Sequence, residues 1–167
     1  MELRPKRSFA SSPAEGRVDD SDAAIVQECV EAYIFTGRPA RVLVFRRPPA
    51  RGRIWVPVSG KVDAGDVNYE GALRRELAEE TGFVEVRRVF SLGWDVPFDG
   101  PDGRRWRLHA YGVELDSERP PTLSDEHEAF EWVDAAEAQH RLHYEDNREA
   151  VDRLLEKLGA DGPPANR

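Results

Sequence analysis

Disulfides within the chain are excluded at once, because Cys29 is its only cysteine. A lone thiol agrees with a reducing cytoplasm, and its apolar, strand-like surroundings suit a small buried residue better than a nucleophile. Long apolar runs are also missing, and none approaches the roughly 20 residues that a membrane-spanning helix needs. The opening stretch MELRPKRSFASSPAEGR is basic but has no apolar segment, which argues against a secretory signal. Positive charge is outweighed, with 24 Lys and Arg against 32 Asp and Glu and a net charge of −8. That balance argues against a nucleic-acid polymer as partner, since such a partner calls for a basic surface. Small phosphorylated ligands stay open, because a metal ion or a few local arginines can reverse the field inside one site.

What is present describes one ordinary domain. The 167 residues are 40% hydrophobic, enough for a single sizeable core. Residues 1–22 are rich in Ser, Pro, Ala and charge without any period, and read as a mobile arm ahead of a domain over 23–159 and a tail over 160–167. Ile25 to Phe35 reads as a strand, turned at Thr36–Pro39 into a second strand from Arg41 to Arg47. Ile54 to Ser59 reads as a short strand made irregular by Pro57. A helix is predicted from about Val67 to Thr81, with Leu73 and Leu77 as its buried stripe and Gly82 as its C-cap. Two long strands, Val84–Phe98 and Arg105–Leu115, flank a turn at residues 99–103. A short strand Ala129–Val133 follows, then a helix from Ala135 to Arg141 capped by Asp134, and a last amphipathic helix from Glu145 to Leu158. The alternation implies an α/β layered domain.

The chemistry concentrates in SGKVDAGDVNYEGALRRELAEETGF, which runs from Ser59 to Phe83. Glu76, Glu79 and Glu80 stand at i, i+3 and i+4, so a helix brings them to one side, where like charges repel. A hard divalent cation compensates such a face, since Mg²⁺ is held by carboxylates together with substrate phosphate oxygens. The competing reading is a solvated acidic helix face.

The same residues resemble the Nudix box of the Nudix (MutT-like) hydrolase family. That box runs Gly, five residues, Glu, seven residues, then Arg-Glu-aliphatic-x-Glu-Glu-x-Gly-aliphatic. Arg75-Glu76-Leu77-Ala78-Glu79-Glu80-Thr81-Gly82-Phe83 matches its second half in full. Asp66 stands where the family usually has Glu, and eight residues instead of seven separate it from Arg75. Asp66 is therefore either a shortened box carboxylate or a turn or N-cap residue.

The resemblance implies a Nudix α/β/α sandwich around a mixed β-sheet. It also implies pyrophosphate hydrolysis assisted by Mg²⁺, with Mn²⁺ able to substitute. Glu76, Glu79, Glu80 and the Ser59 carbonyl are then the metal ligands, with Glu76 also able to orient the water. Arg75 is the arginine that aligns the glutamates, and Glu126 a downstream general base or further ligand. His127 is either a proton acceptor or a loop histidine without chemistry. Lys61, Arg46, Arg53 and Arg107 are the cations at hand for phosphate, Lys61 foremost. Trp55, Tyr33, Phe45, Trp106 and Tyr144 are the aromatics at hand for a base, each competing with plain core packing.

The segment His143–Leu155 is similar to the closing helix of dATP and dihydroneopterin triphosphate pyrophosphohydrolases. EHEAFEWV is similar instead to dinucleoside tetraphosphate hydrolases. The expected substrate is a nucleoside diphosphate linked to another group, either a nucleoside triphosphate or a dinucleoside polyphosphate, and a homodimer is open as the assembly. A non-catalytic nucleotide sensor on the same fold is the rival reading.

Overall fold

The computed structural model describes residues 24–160; the expected arm over 1–22 and most of the expected tail lie outside that range. The strand β1 (Gln27–Thr36) sits at the centre and is buried along nearly all its length. Its apolar run reflects cover on both faces, as expected of a strand paired in parallel with a neighbour. That neighbour is β6 (Arg105–Glu114), which is in turn antiparallel to β5 (Arg88–Asp99).

The other edge of β1 is shared between two strands. Its first half pairs with β4 (Val58–Lys61), from Cys29↔Lys61 to Ala32↔Val58. Its end pairs with β2 (Arg41–Arg46), at Phe35↔Val42 and Thr36↔Arg41. Between these lies β3 (Trp55–Val56), paired with β2 and separated from β4 by Pro57. The expected single strand over 54–59 is thus two, because proline has no N–H to continue the ladder. The outer strand β7 (Ala129–Asp134) pairs with β2.

Alternation along β1 builds two cores. Val30, Ala32 and Ile34 pack against Leu73, Leu77 and Phe83 on the side of helix α1 (Tyr69–Thr81). Tyr33 and Phe35 pack on the opposite face, against α2 (Ala135–Arg141) and α3 (Glu145–Ala160), through Ala138, Val151 and Leu154. The result is an α/β/α sandwich around a mixed sheet. No helix among the described residues is long and apolar enough to cross a membrane.

Several element ends differ from expectation. α1 starts at Tyr69 because Asn68 caps it, its Oδ1 accepting from Gly71 N at 2.7 Å. Asp66 is therefore not the N-cap, and Val67 stays 93% exposed ahead of the helix. β5 begins at Arg88, since residues 82–86 run irregularly while Phe83 turns into the core. Helix α3 runs on to Ala160, two residues past the expected end at Leu158 and into the first residue of the expected tail.

Candidate active site

The helix α1 does not present its three carboxylates equally. Counting from Leu77, which faces the core, Glu76 and Glu80 fall on the same flank, whereas Glu79 lies about 160° away at 100° per residue. Accordingly Glu76 is 9% and Glu80 6% exposed, while the Glu79 side chain is 58% exposed. All three border one cleft of about 540 Å³, which also takes in Ser59, Gly60, Lys61 and Glu126.

Arg75 ties the box together. It donates from Nε and Nη2 to the two oxygens of Asp66, both at 3.0 Å, and from Nη1 to Glu76 Oε1 at 2.9 Å. It also reaches Glu79 Oε2 at 3.4 Å and the Lys61 carbonyl at 2.9 Å. A planar fork suits such paired acceptance. The contact with Arg75 holds the Asp66 carboxyl below its ordinary range. Asp66 also accepts from Asp63 N at 2.7 Å, so it both turns the loop and grips the arginine. Asp66→Ala is expected to cut turnover about tenfold and raise the metal concentration needed for half-maximal rate, as losses behind a ligand set typically do. A metal titration of initial rates checks this, and an unchanged curve assigns Asp66 to the turn alone.

Gly60 is the floor beneath Glu76. A Cβ built there would lie 2.0 Å from Glu76 Cδ and 2.3 Å from its Oε1, so only a residue without a side chain leaves the carboxylate where it is.

Glu80 is the most perturbed group. Burial first, then the charges of Glu76 and Glu126, push its carboxyl up to about 8. Burial also raises Glu76, against the pull of Arg75. Glu80 Oε2 is buried with no protein hydrogen-bond partner and faces His127 Nδ1, likewise unpaired, at 3.9 Å. His127 is buried and packs against the Phe45 ring at 4.9 Å. Burial above all, with Arg47 beside it, pushes its imidazole down to about 4, so the ring is neutral near pH 7.

A divalent cation fits this donor set. Crowded carboxylates and a buried orphan oxygen are what a hard cation relieves. Among the described residues no three His, Cys, Asp or Glu side chains close a metal cage by themselves. Arg75 holds Glu76 and Glu79, and Arg51 holds Glu126. Mg²⁺ characteristically needs only one or two carboxylates when waters and substrate phosphates complete its shell.

The remaining candidates divide. Glu126 stands at the cleft rim, paired with Arg51. Lys61 lies in the cleft, with Nζ 5.0 Å from the centre of the Trp106 ring. Arg46, Arg53 and Trp55 are not among the residues bordering the cleft. Arg46 and Arg53 turn to Glu128, at 2.8 and 3.8 Å, and Trp55 lies between Arg46 and Arg141, at 5.7 and 5.0 Å.

Strand alternation accounts for this. Val42, Val44 and Arg46 face the α2–α3 layer, whereas Leu43, Phe45 and the next odd residue, Arg47, face the other way. Arg47 and Arg51 are the cleft cations that sequence reasoning missed, and the alternation around Phe45 is the signal that could have found Arg47. Part of the cleft wall is apolar, formed by Cys29, Phe98, Trp106 and Leu108. The Trp106 indole is fixed there by donating to Asp102 at 3.0 Å.

Known proteins resemble this chain in sequence and in fold. A family model described as NUDIX domain matches residues 27–154. The chain is 33% identical to mutator protein MutT4 of Mycobacterium tuberculosis, over 96% of this chain and 67% of that protein. It is 36% identical to an octanoyltransferase of Myxococcus xanthus, over 79% of this chain but only 38% of that protein's length. A C. elegans Ap4A hydrolase, solved as a binary complex, superposes with a TM-score of 0.68 at 18% identity, over 81% of this chain and 99% of that one. At that identity the likeness is one of fold.

Proposed function

This chain belongs to the NUDIX family, and on that premise we propose that it is a Mg²⁺-dependent pyrophosphohydrolase. Its substrate is a nucleoside diphosphate linked to a further group, as in a nucleoside triphosphate or a dinucleoside polyphosphate. The observation that carries the reading is the buried Glu76–Glu80 pair, with its orphan oxygen, facing a cleft that also holds Lys61, Arg47 and Arg51.

Glu76, Glu79, Glu80 and the Ser59 carbonyl would hold the ion. Bound there, Mg²⁺ or Mn²⁺ would supply charge neutralisation to the diphosphate and acidity to a water molecule. Glu126 accepts the proton of the attacking water as it bonds to phosphorus and the anhydride P–O bond breaks, the phosphate leaving with that bond's electron pair. Arg47, Arg51 and Lys61 offset the charge gathering on the departing phosphate. Arg75 keeps Glu76 and Glu79 in register throughout. Phe98, Trp106 and Leu108 offer the base an apolar wall. A cytoplasmic setting fits substrates of this kind.

The test is mass analysis of products from a mixed nucleotide panel, with and without Mg²⁺. Cleavage that requires the ion is expected for at least one member. Tight binding without cleavage would make the chain a nucleotide sensor.

A further inference from the structure

A second charged cluster lies outside the cleft, beneath the start of α1. His109 on β6 has Nε2 at 2.6 Å from Glu28 Oε2 and Nδ1 at 2.8 Å from Asp95 Oδ1. Each ring nitrogen faces a carboxylate, and the ring donates to both carboxylates at once only as an imidazolium. The face of that ring is stacked on Tyr69, the first residue of α1, with centroids 4.0 Å apart and planes 22° apart. Arg107 grips Glu28 alongside, and Tyr111 and Glu70 complete the charged and titratable surroundings from β6 and α1. Burial opposes the charge on Glu28, yet Arg107 and His109 together hold its carboxyl below the usual range.

This cluster is attached to both ends of the loop 62–68. At the first end, Val62 N donates to the Glu28 carbonyl at 2.9 Å, and Gln27 Nε2 donates to the Val62 carbonyl at 3.1 Å. At the other end, Tyr69 rests on the His109 ring. Between them lie Asp63 and Asp66, the two loop carboxylates that face Arg75. Resting on the function proposed above, we propose that His109 is a positioning residue. Its cation, bridging Glu28 and Asp95, clamps the loop 62–68 and the first turn of α1, and through Asp66 and Arg75 sets where Glu76 stands. The clamp holds while both ring nitrogens carry protons. When one is lost, a lone pair faces a carboxylate and one arm opens.

His109→Gln cannot donate in both directions. Native-state hydrogen exchange at Val62, Asp66 and Gly71 should speed up by about tenfold in this variant, while slow core amides of β1 are unchanged. Turnover should fall by about ten- to a hundredfold with KM within about threefold, the mark of misplaced groups and not of lost binding. Unchanged exchange at those three amides overturns the clamp. The exchange readout needs no substrate, so it decides the clamp even if no nucleotide is cleaved and the hydrolase reading fails.

Asp95→Asn provides a second variant if His109→Gln does not fold, since the Asp95 side chain is 59% exposed. There a neutral imidazole keeps both arms, because the amide can donate to the deprotonated nitrogen. The ratio of Asp95→Asn to wild-type turnover should therefore rise with pH across the range in which NMR shows wild-type His109 losing its proton. A flat ratio across that range overturns the proposal.

Discussion

Replacing Glu80 with Gln is expected to remove nearly all turnover while making the metal-free protein more stable at alkaline pH. The loss follows from the proposed ligand role. Charge stabilisation worth several kcal/mol corresponds to roughly two to three orders of magnitude in rate. The gain in stability follows from burial. An ordinary glutamate titrates near 4.5, and Glu80 in the fold is pushed up to about 8. Because its folded value is the higher one, its contribution to stability is complete below 4.5 and is lost as pH rises through 8. Ionising it inside the metal-free fold costs on the order of several kcal/mol, at 1.36 kcal/mol for each pKa unit.

Glutamine mimics the protonated acid and can still donate to Glu76, so that slope disappears. His127 has the opposite slope. Its folded value is depressed to about 4, so the stability it provides is present above 6.5 and is lost as pH falls toward 4. Thermal melts without metal should therefore coincide near pH 5 and separate in favour of Glu80→Gln at pH 8 to 9. Adding Mg²⁺ at pH 8 should raise the melting temperature of the wild type and leave the variant almost unmoved. Equal melts at pH 9 would show that Glu80 ionises there without penalty.

The parts of this site that follow local periodicity are legible in the sequence. The α1 register follows from 3.6 residues per turn, and Leu73 and Leu77 already orient it. The same count from Leu77 also separates Glu79 from its two neighbours, although a bare i, i+3, i+4 pattern treats them alike. Arg46 and Arg47 show how narrow the margin is in a strand, where one residue moves a guanidinium from the cleft to the opposite layer. Asp66 is readable as a box or turn residue. Its bidentate hold on Arg75 depends on the course of the extra loop residue, which no local rule supplies. The apolar wall is least legible. Cys29, Phe98 and Leu108 come from β1, β5 and β6, and they meet only through sheet pairings between residues far apart in sequence.

Gly60→Ala is expected to have an effect nearly as large as removing a carboxylate, although it adds a single methyl group. The added Cβ would sit 2.0 Å from Glu76 Cδ and 2.5 Å from Glu76 Cγ, well inside any tolerable contact. The backbone can yield little, since Gly60 pairs with Val30 in the ladder between β4 and β1. Relief must come from Glu76 swinging away, which breaks its 2.9 Å bond with Arg75 Nη1 and draws its carboxylate out of the cleft. Overpacking of this kind costs about 1–3 kcal/mol of stability, so the protein should remain folded. Turnover should nevertheless fall by at least about a hundredfold, the size expected when a reacting constellation is displaced by an ångström or more.

A second substitution separates sterics from general damage. With Glu76→Ala in the same chain the three nearest atoms that the methyl group would strike are gone. The double variant should then recover the melting temperature of Glu76→Ala alone and show no turnover beyond that single variant. If Gly60→Ala remains as unstable in the Glu76→Ala background as in the wild type, the clash is with something other than Glu76. Gly60 would then serve the fold and not the placement of the carboxylate.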